Sequence, residues 1–537
     1  MSEAHRSEPP VLDFPTLLER ITRHGDRVAL SFYRGKSLQG RMSYGELCAR
    51  AEALAGRLQG EFAVRAGDRV ALLTPNRLEV PVLVLALLRL GAVVVPLNPG
   101  SAPSDWEYIL DHSGARGLCA TSDLLAQLPV RREAGAFALA IESAFDGGGG
   151  APSAGARLDE SLAVVLYTSG TTGHPKGVSL RQRSLLWNAW SMARNFGLDG
   201  ATQLAVLPLY HAHAFGFGLM TALSSGGHLV FTERLEPFTW AEVVRTESVS
   251  VSSVVPTLLP MLLAVGVTRS QVPTLRHLLV SSAPLTVDLA RRFETRTQIP
   301  LIQGWGLSEY TNFACCAPTE LAEADHELLM FAEEVPSVGP ALEGTEVRVV
   351  DAAGVSVDDG VRGELVVRGP STMLGYLDDA TATALVLDSD GWLRTGDEGF
   401  SRTYRGRSVF FITGRLKEII IRDGEKYSPL GLEKRIVEAI PELSGKLVVL
   451  GFPHDDHGEE VGAYVELDPL DDGIKARLAA LIGAMPVSER PKVVLHGPRP
   501  ISRTHTGKVQ RRKMQGWFSS WSKHRGVVAI VEVGGDE

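Results

Sequence analysis

The amino-acid sequence predicts an α/β protein with a smaller α+β unit at its C-terminal end, and three observations carry that prediction. Apolar strand and helix patterns alternate early in the chain: a strand at 69–73, a helix at 78–90 and a strand at 92–97, the order of a parallel strand–helix–strand unit. Between Ser337 and Val367 the pattern changes to short β segments with turns, at 347–350 and 363–367. Near Arg415 the composition shifts again, and 418–537 read as a small α+β unit with helices at 432–439 and 474–484.

The other elements are predicted by the same periodicities. Leu47, Ala51, Leu54 and Leu58 recur at helical spacing, which makes 44–59 an amphipathic helix. Strand-like runs follow at 117–120, 203–207, 228–231, 249–255 and 277–281. The most apolar stretch, 80–97, is broken by Pro81, Arg89 and Pro96, so it reads as a buried helix and a strand rather than a membrane span. Gly147 to Gly150 and Pro152 mark 146–155 as a connector.

A chain of 537 residues exceeds what one hydrophobic core serves and predicts about two to four folding units. A formal net charge of −9 argues against a nucleic-acid partner, and neither a membrane nor a targeting segment is expected. Cys48, Cys119, Cys315 and Cys316 have no metal-ligand spacing; the adjacent Cys315 and Cys316 read as buried small apolar residues rather than a redox pair, and a reducing cytoplasm fits best. Residues 490–525 hold ten Lys or Arg and no acid, which suits a solvated face and a polyanion-facing surface equally.

One run points to chemistry. An apolar strand at 162–166 leads into Thr168, Ser169, Gly170, Thr171 and Thr172, then Pro175, Lys176 and Gly177. Glycines let backbone N–H groups converge on one anion, hydroxyls add donors, and Lys176 brings a point charge, so the loop is suited to nucleotide phosphates. Its spacing is not that of the Walker loop. Further clusters follow: 207–216 with His211 and aromatics, 280–285 with Ser282, Ala283 and Pro284, 303–309 with Gly304, Trp305, Gly306, Ser308 and Glu309, 391–397 ending in Asp397, 412–419 with Arg415 and Lys417, and 504–513 with Lys508.

In that order these motifs resemble the acyl-activating, adenylate-forming superfamily of acyl-CoA synthetases, adenylation domains and firefly luciferase, from about Phe14 to Lys513. The resemblance implies a large domain over 1–414 with two parallel-type α/β sheets and a small β-barrel-like region, a hinge at 415–417 and a small mobile α+β domain over 418–537. It implies that Mg·ATP and a carboxylic acid give an acyl-adenylate and pyrophosphate, after which the thiol of CoA displaces AMP. A carrier-protein pantetheine or an amine is the alternative acceptor, and a homodimer is within its range.

By the same resemblance, Thr168, Ser169, Gly170, Thr171, Thr172 and Lys176 hold the β- and γ-phosphates, Glu309 ligates Mg2+ and Ser308 reaches the α-phosphate. Lys508 bridges the carboxylate and α-phosphate, where charge accumulates. Trp305 stacks on adenine, with Ser282, Ala283 and Pro284 on its other side. Asp397 accepts the ribose hydroxyls, a helix N-cap being the other reading, and Arg415 contacts ribose or phosphate. Lys417 is the hinge. Gly424 and Glu425 border the thiol tunnel, although Lys426 and Gly431 depart from the usual pattern there.

The acid is read from what its pocket lacks. No carboxylate stands near Tyr210-His211-Ala212-His213 to pair with an α-ammonium, which disfavours an amino acid. His211 is expected near the substrate carboxylate. Phe215, Phe217, Val255, Val280 and Leu307 predict an apolar pocket for an aromatic, fatty or polycyclic acid, with Gly304 and Gly306 leaving open space. The compact 335–367 run shows no insertion of the kind that hinders CoA use in fatty acyl-AMP ligases.

Overall fold

Two parallel-type sheets come from runs of Val, Leu, Ile and Ala that are buried on both faces. The computed structural model describes residues 10–128, 136–146, 152, 159–168, 175–423, 425–504, 507–524 and 529–533, apart from the side chain at 426. One sheet orders its strands as Phe313–Cys316, Leu301–Gly306, His277–Val280, Val251–Val254, Thr202–Ala205, His228–Thr232, Val28–Arg34 and Ser37–Ser43. Its inner strands run parallel, and the two outermost pair antiparallel. The other runs Gly375–Tyr376, Lys176–Arg181, Leu162–Thr168, Val93–Leu97, Arg69–Leu73, Gly117–Ala120 and Phe137–Ala140.

The predicted helices are present, with ends set by their caps. Helix Tyr44–Glu61 begins with a capping box in which Ser43 and Glu46 satisfy each other's backbone N–H. Helix Glu79–Arg89 is buried at every position from Val80 to Leu88, which accounts for its apolar character all round. Among the described residues no helix is long and apolar enough to cross a membrane. All four cysteines are buried and free. Most of the 146–155 connector lies outside the described residues.

The region expected to be β-barrel-like is a five-stranded antiparallel sheet: Ser337–Pro340, Arg407–Arg415, Leu393–Tyr404, Gly363–Arg368 and Glu346–Val350. Beyond it, a six-stranded sheet is built on the hairpin Leu447–His454 and Gly458–Glu466. Two apolar clusters, one around Ile436, Val461 and Ile482 and one around Phe452, Tyr464 and Phe518, draw every member from Ile420 onward.

Both helices predicted in the C-terminal part start earlier than the periodicity indicated. Asp471 caps Asp472–Ala484, and Ser428 caps Pro429–Ala439 with Pro429 in the first turn. One member of the basic run at 490–525 departs from both readings of it, the solvated face and the polyanion-facing surface. Arg511 is buried between Glu418 and Glu433, and Arg499 lies over the ring of Trp517.

Gly431 occupies the third position of helix Pro429–Ala439, exposed and outside the left-handed region, and a Cβ there meets only Ser428 at 3.7 Å. Gly431→Glu removes a flexible residue and completes a capping box with Ser428. We expect about fivefold greater hydrogen-exchange protection across this helix, or about 1 kcal/mol. Unchanged protection would show that the cap contributes nothing.

Candidate active site

Parallel strands end where ligands bind in open α/β sheets, because their carboxyl ends open into loops on one side. Strands Thr202–Ala205, Val251–Val254, His277–Val280 and Leu301–Gly306 are neighbours and parallel, so their exits share one edge. That edge carries His211, Val255, Ser282-Ala283-Pro284 and Leu307-Ser308-Glu309 in turn. Ser282 and Pro284 are exposed and Ala283 is half-buried, and Ser308 and Glu309 form a half-buried helical turn.

Asp397 sits within strand Leu393–Tyr404, opposite Arg415 in the antiparallel register, which excludes the helix N-cap reading. Its carboxylate is buried and held from two sides. The Trp305 indole N–H donates to Oδ2 at 2.8 Å, and Arg415 Nε lies 3.1 Å from Oδ1. Each carboxylate oxygen can accept two hydrogen bonds and has one partner here, so lone pairs remain for a ligand's hydroxyls. Trp305 is only 8% exposed, and its N–H fixes Asp397.

Lys508 arrives from the C-terminal part on a tight turn. Its backbone N–H donates to Thr504 Oγ1 at 3.1 Å, and Gly507 takes a φ of +79° that favours glycine. A Cβ at Gly507 would stand 2.6 Å from Thr257 Oγ1, so the turn packs directly against the exit of strand Val251–Val254. Burial first, and then Arg415, pull the Lys508 ammonium down to about 8, against the opposing attraction of Asp397, Glu418 and Glu309. Lys508, Glu309, Asp397 and Arg415 are therefore brought into one electrostatic neighbourhood.

Lys417 is exposed, between Arg415 and Glu418 on a short helical turn. Arg415 pairs with Asp397, whereas Glu418 accepts from Arg511 Nη1 at 2.7 Å. Arg511 also reaches Glu433 Oε1 at 2.8 Å and the Val449 carbonyl at 2.9 Å. Each side of Lys417 is thus tied to a different part of the chain.

Thr168 and Lys176 face each other across the hairpin formed by Leu162–Thr168 and Lys176–Arg181, at the end where residues 169–175 connect its strands. Ser169, Gly170, Thr171 and Thr172 lie outside the described residues, as does Gly424; Glu425 is exposed on the strand Glu425–Tyr427. Among the described residues no group of three or more His, Cys, Asp or Glu side chains could hold a metal alone. Glu309 fits a lesser demand, since Mg2+ is commonly held by one or two carboxylates together with substrate phosphates.

On the acid side, Phe215, Val255 and Val280 are buried and Leu307 is half-buried. His211 is half-buried, with its ring 4.6 Å from that of Tyr210. Phe217 packs edge-on against Phe313 among core side chains. The two glycines do not leave the open space expected of them. A Cβ at Gly304 would lie 2.6 Å from the Phe313 ring, and one at Gly306 would lie 1.7 Å from the Asn312 carbonyl oxygen. Both are needed because strand Phe313–Cys316 folds back closely on them.

Sequence reasoning missed several residues of this neighbourhood. His213 is buried, its Nδ1 2.9 Å from Ser281 Oγ and 3.0 Å from Ser282 Oγ, and burial, then His211, hold it down to about 3. Tyr376 donates to Glu309 Oε1 at 2.9 Å from 67 residues away, with no local pattern to signal it.

Residues 17–377 match the family described as AMP-binding enzyme, and the chain belongs to that family. It is 32% identical over 492 residues to a sulfoacetate–CoA ligase of Cupriavidus necator, covering 88% of this chain and 92% of that protein. It is also 32% identical to a feruloyl-CoA synthase of Amycolatopsis, covering 82% and 88%. ATP-bound MatB from Rhodopseudomonas palustris superposes with a TM-score of 0.83 at 27% identity, covering 95% of this chain and all of that one. The apo form of MatB gives 0.69. The protein is an ATP-dependent acid–thiol ligase that makes an acyl-adenylate and then a CoA thioester.

Trp305→Phe keeps a ring but removes the donor that orients Asp397. We expect AMP affinity, measured by calorimetry, to fall about tenfold, the cost of a hydrogen bond to a charged group. Undiminished affinity would mean that Arg415 alone suffices.

Proposed function

We propose that the acid is narrow and apolar, aromatic or straight-chained, and that Lys508 is the cation bridging its carboxylate and the α-phosphate of ATP. The observation that carries this reading is the gathering of Lys508 with Glu309, Asp397 and Arg415. As the acid's carboxylate approaches a triphosphate, negative charge builds at the α-phosphoryl oxygens, and a pre-placed, partly desolvated ammonium stabilises it. Glu309 would hold Mg2+, which supplies charge neutralisation at the phosphates. Lys176 and Thr168 would take the β- and γ-phosphates, with Ser169, Gly170, Thr171 and Thr172. Ser308 would reach the α-phosphate, and Trp305 with Ser282, Ala283 and Pro284 would enclose adenine.

The acid class follows from the side chains assigned to its wall. Phe215, Val255, Val280 and Leu307 bring no cation, so a second carboxylate or a sulfonate would be buried unpaired. Phe313 beside Gly304 narrows the space against a polycyclic acid. His211 would contact the reacting carboxylate.

For the second step we propose rotation about Lys417, with 1–414 and 418–537 as the moving bodies and Gly424 and Glu425 bordering the thiol tunnel. Two features support this: the separate ties on either side of Lys417, and the better match to the ATP-bound than to the apo form of MatB.

The test is pyrophosphate release across an acid panel, repeated with CoA to follow AMP. We expect cinnamate-like and medium-chain acids to exceed malonate and sulfoacetate by about 100-fold, as an unpaired buried charge would require. Preference for the doubly charged acids would overturn the apolar assignment. Adenylate formation without acyl-CoA would favour a carrier-protein acceptor.

A further inference from the structure

A short segment runs along the outer strand of the phosphate hairpin and touches both Lys176 and Glu309. Strand Gly375–Tyr376 pairs antiparallel with Ser179 and Val178, and the Leu377 N–H donates to the Gly177 carbonyl at 2.7 Å. Tyr376 is further fixed by its own N–H, which donates to Thr383 Oγ1 at 2.9 Å. The segment is also joined to the other sheet, because the Met373 N–H donates to the Glu309 carbonyl at 2.9 Å.

From this anchored backbone the Tyr376 side chain makes two contacts of different kinds. Its hydroxyl donates to Glu309 Oε1 at 2.9 Å. Its ring lies 4.9 Å from the Lys176 ammonium, within the range where an aromatic face attracts a cation. Lys176 has a second neighbour in Asp379, whose Oδ2 is 3.8 Å from Nζ. Asp379 Oδ1 is committed to the N–H of Ala382 as a helix cap, so only Oδ2 faces the lysine. An ion pair of that length, about a third exposed on both sides, is weak and readily exchanged for phosphate.

We propose that Tyr376 is a positioning residue that couples the carboxylate of Glu309 to the ammonium of Lys176, and that Asp379 holds Lys176 until nucleotide phosphates replace it. The inference rests on the reading of Glu309 as the metal carboxylate and Lys176 as the phosphate lysine. A glutamate has several rotatable bonds. With one oxygen held by the phenol, the other stays directed for a ligand, and the ordering cost is met before the metal arrives. The same ring keeps the ammonium close by, so charge on the nucleotide meets both groups in a fixed relation.

The test is calorimetric binding of α,β-methylene-ATP with and without Mg2+, on the full chain, needing no turnover. In the unaltered protein Mg2+ should increase affinity, and Glu309→Gln should abolish that gain. Tyr376→Phe, which keeps the ring and loses only the hydroxyl, should cut the gain about fivefold and leave metal-free affinity unchanged. Tyr376→Leu should in addition weaken metal-free binding about threefold, since the ring is lost. Asp379→Asn, which preserves a helix cap, should tighten metal-free binding about threefold. A Mg2+ gain that vanishes in Glu309→Gln but persists in Tyr376→Phe would overturn the inference alone. A gain that survives Glu309→Gln would overturn the metal role of Glu309 and the inference with it. Equal loss with and without Mg2+ in Tyr376→Phe would reduce Tyr376 to a structural role and also overturn it.

Discussion

The placement of one ammonium group out of bulk water governs this site. Lys508 sits beside Arg415, another cation, and faces Asp397, Glu418 and Glu309. Desolvation and the like charge together outweigh those carboxylates, so the free protein holds a cation at a cost. On the proposed reading, a bound carboxylate and triphosphate would supply the missing negative charge, and the site would favour most the state with charge concentrated at the α-phosphorus.

The rest of the architecture can be understood as the support for that group. The exits of the parallel strands supply one wall, and the turn carrying Lys508 closes on it through Gly507 and Thr257. The Asp397 carboxylate is engaged by Trp305 on one oxygen and by Arg415 on the other. On the far side of Lys417, Arg511 binds Glu418, Glu433 and the Val449 carbonyl together. This ties the first residues after the turn to the C-terminal sheet. Removing both acids would leave a buried guanidinium without a counter-charge, so the cluster is costly to break.

Much of this was legible in the sequence because it is written locally. Apolar runs and turn residues placed the strands, and the order of the motifs, through the family resemblance, pointed to Glu309, Asp397 and Lys508 together. What stayed hidden depends on contacts between distant residues. Tyr376 reaching Glu309 has no spacing signal, and neither does Arg511 joining Glu418 to Glu433. Gly306 shows a different failure: its importance was visible, but its cause was inverted. A glycine permits either open space or a close backbone approach, and only the fold shows that the Asn312 carbonyl fills the place of its side chain. Helix starts were misplaced for a simpler reason, since capping residues such as Asp471 and Ser428 are polar and precede the apolar repeat.

The central claim is that Lys508, with its pKa lowered to about 8, is the cation required for adenylation. The most direct measurement is the pH dependence of kcat/KM for single-turnover adenylate formation, from about pH 6 to about pH 10, which reports groups of the free enzyme. The ammonium is charged below its pKa, so the rate should be level below about 8 and fall about tenfold per unit above it. Lys508→Arg, which stays charged throughout, should lose that alkaline limb even if its plateau is lower. An alkaline limb of the same position in Lys508→Arg would show that another group titrates and would contradict the account.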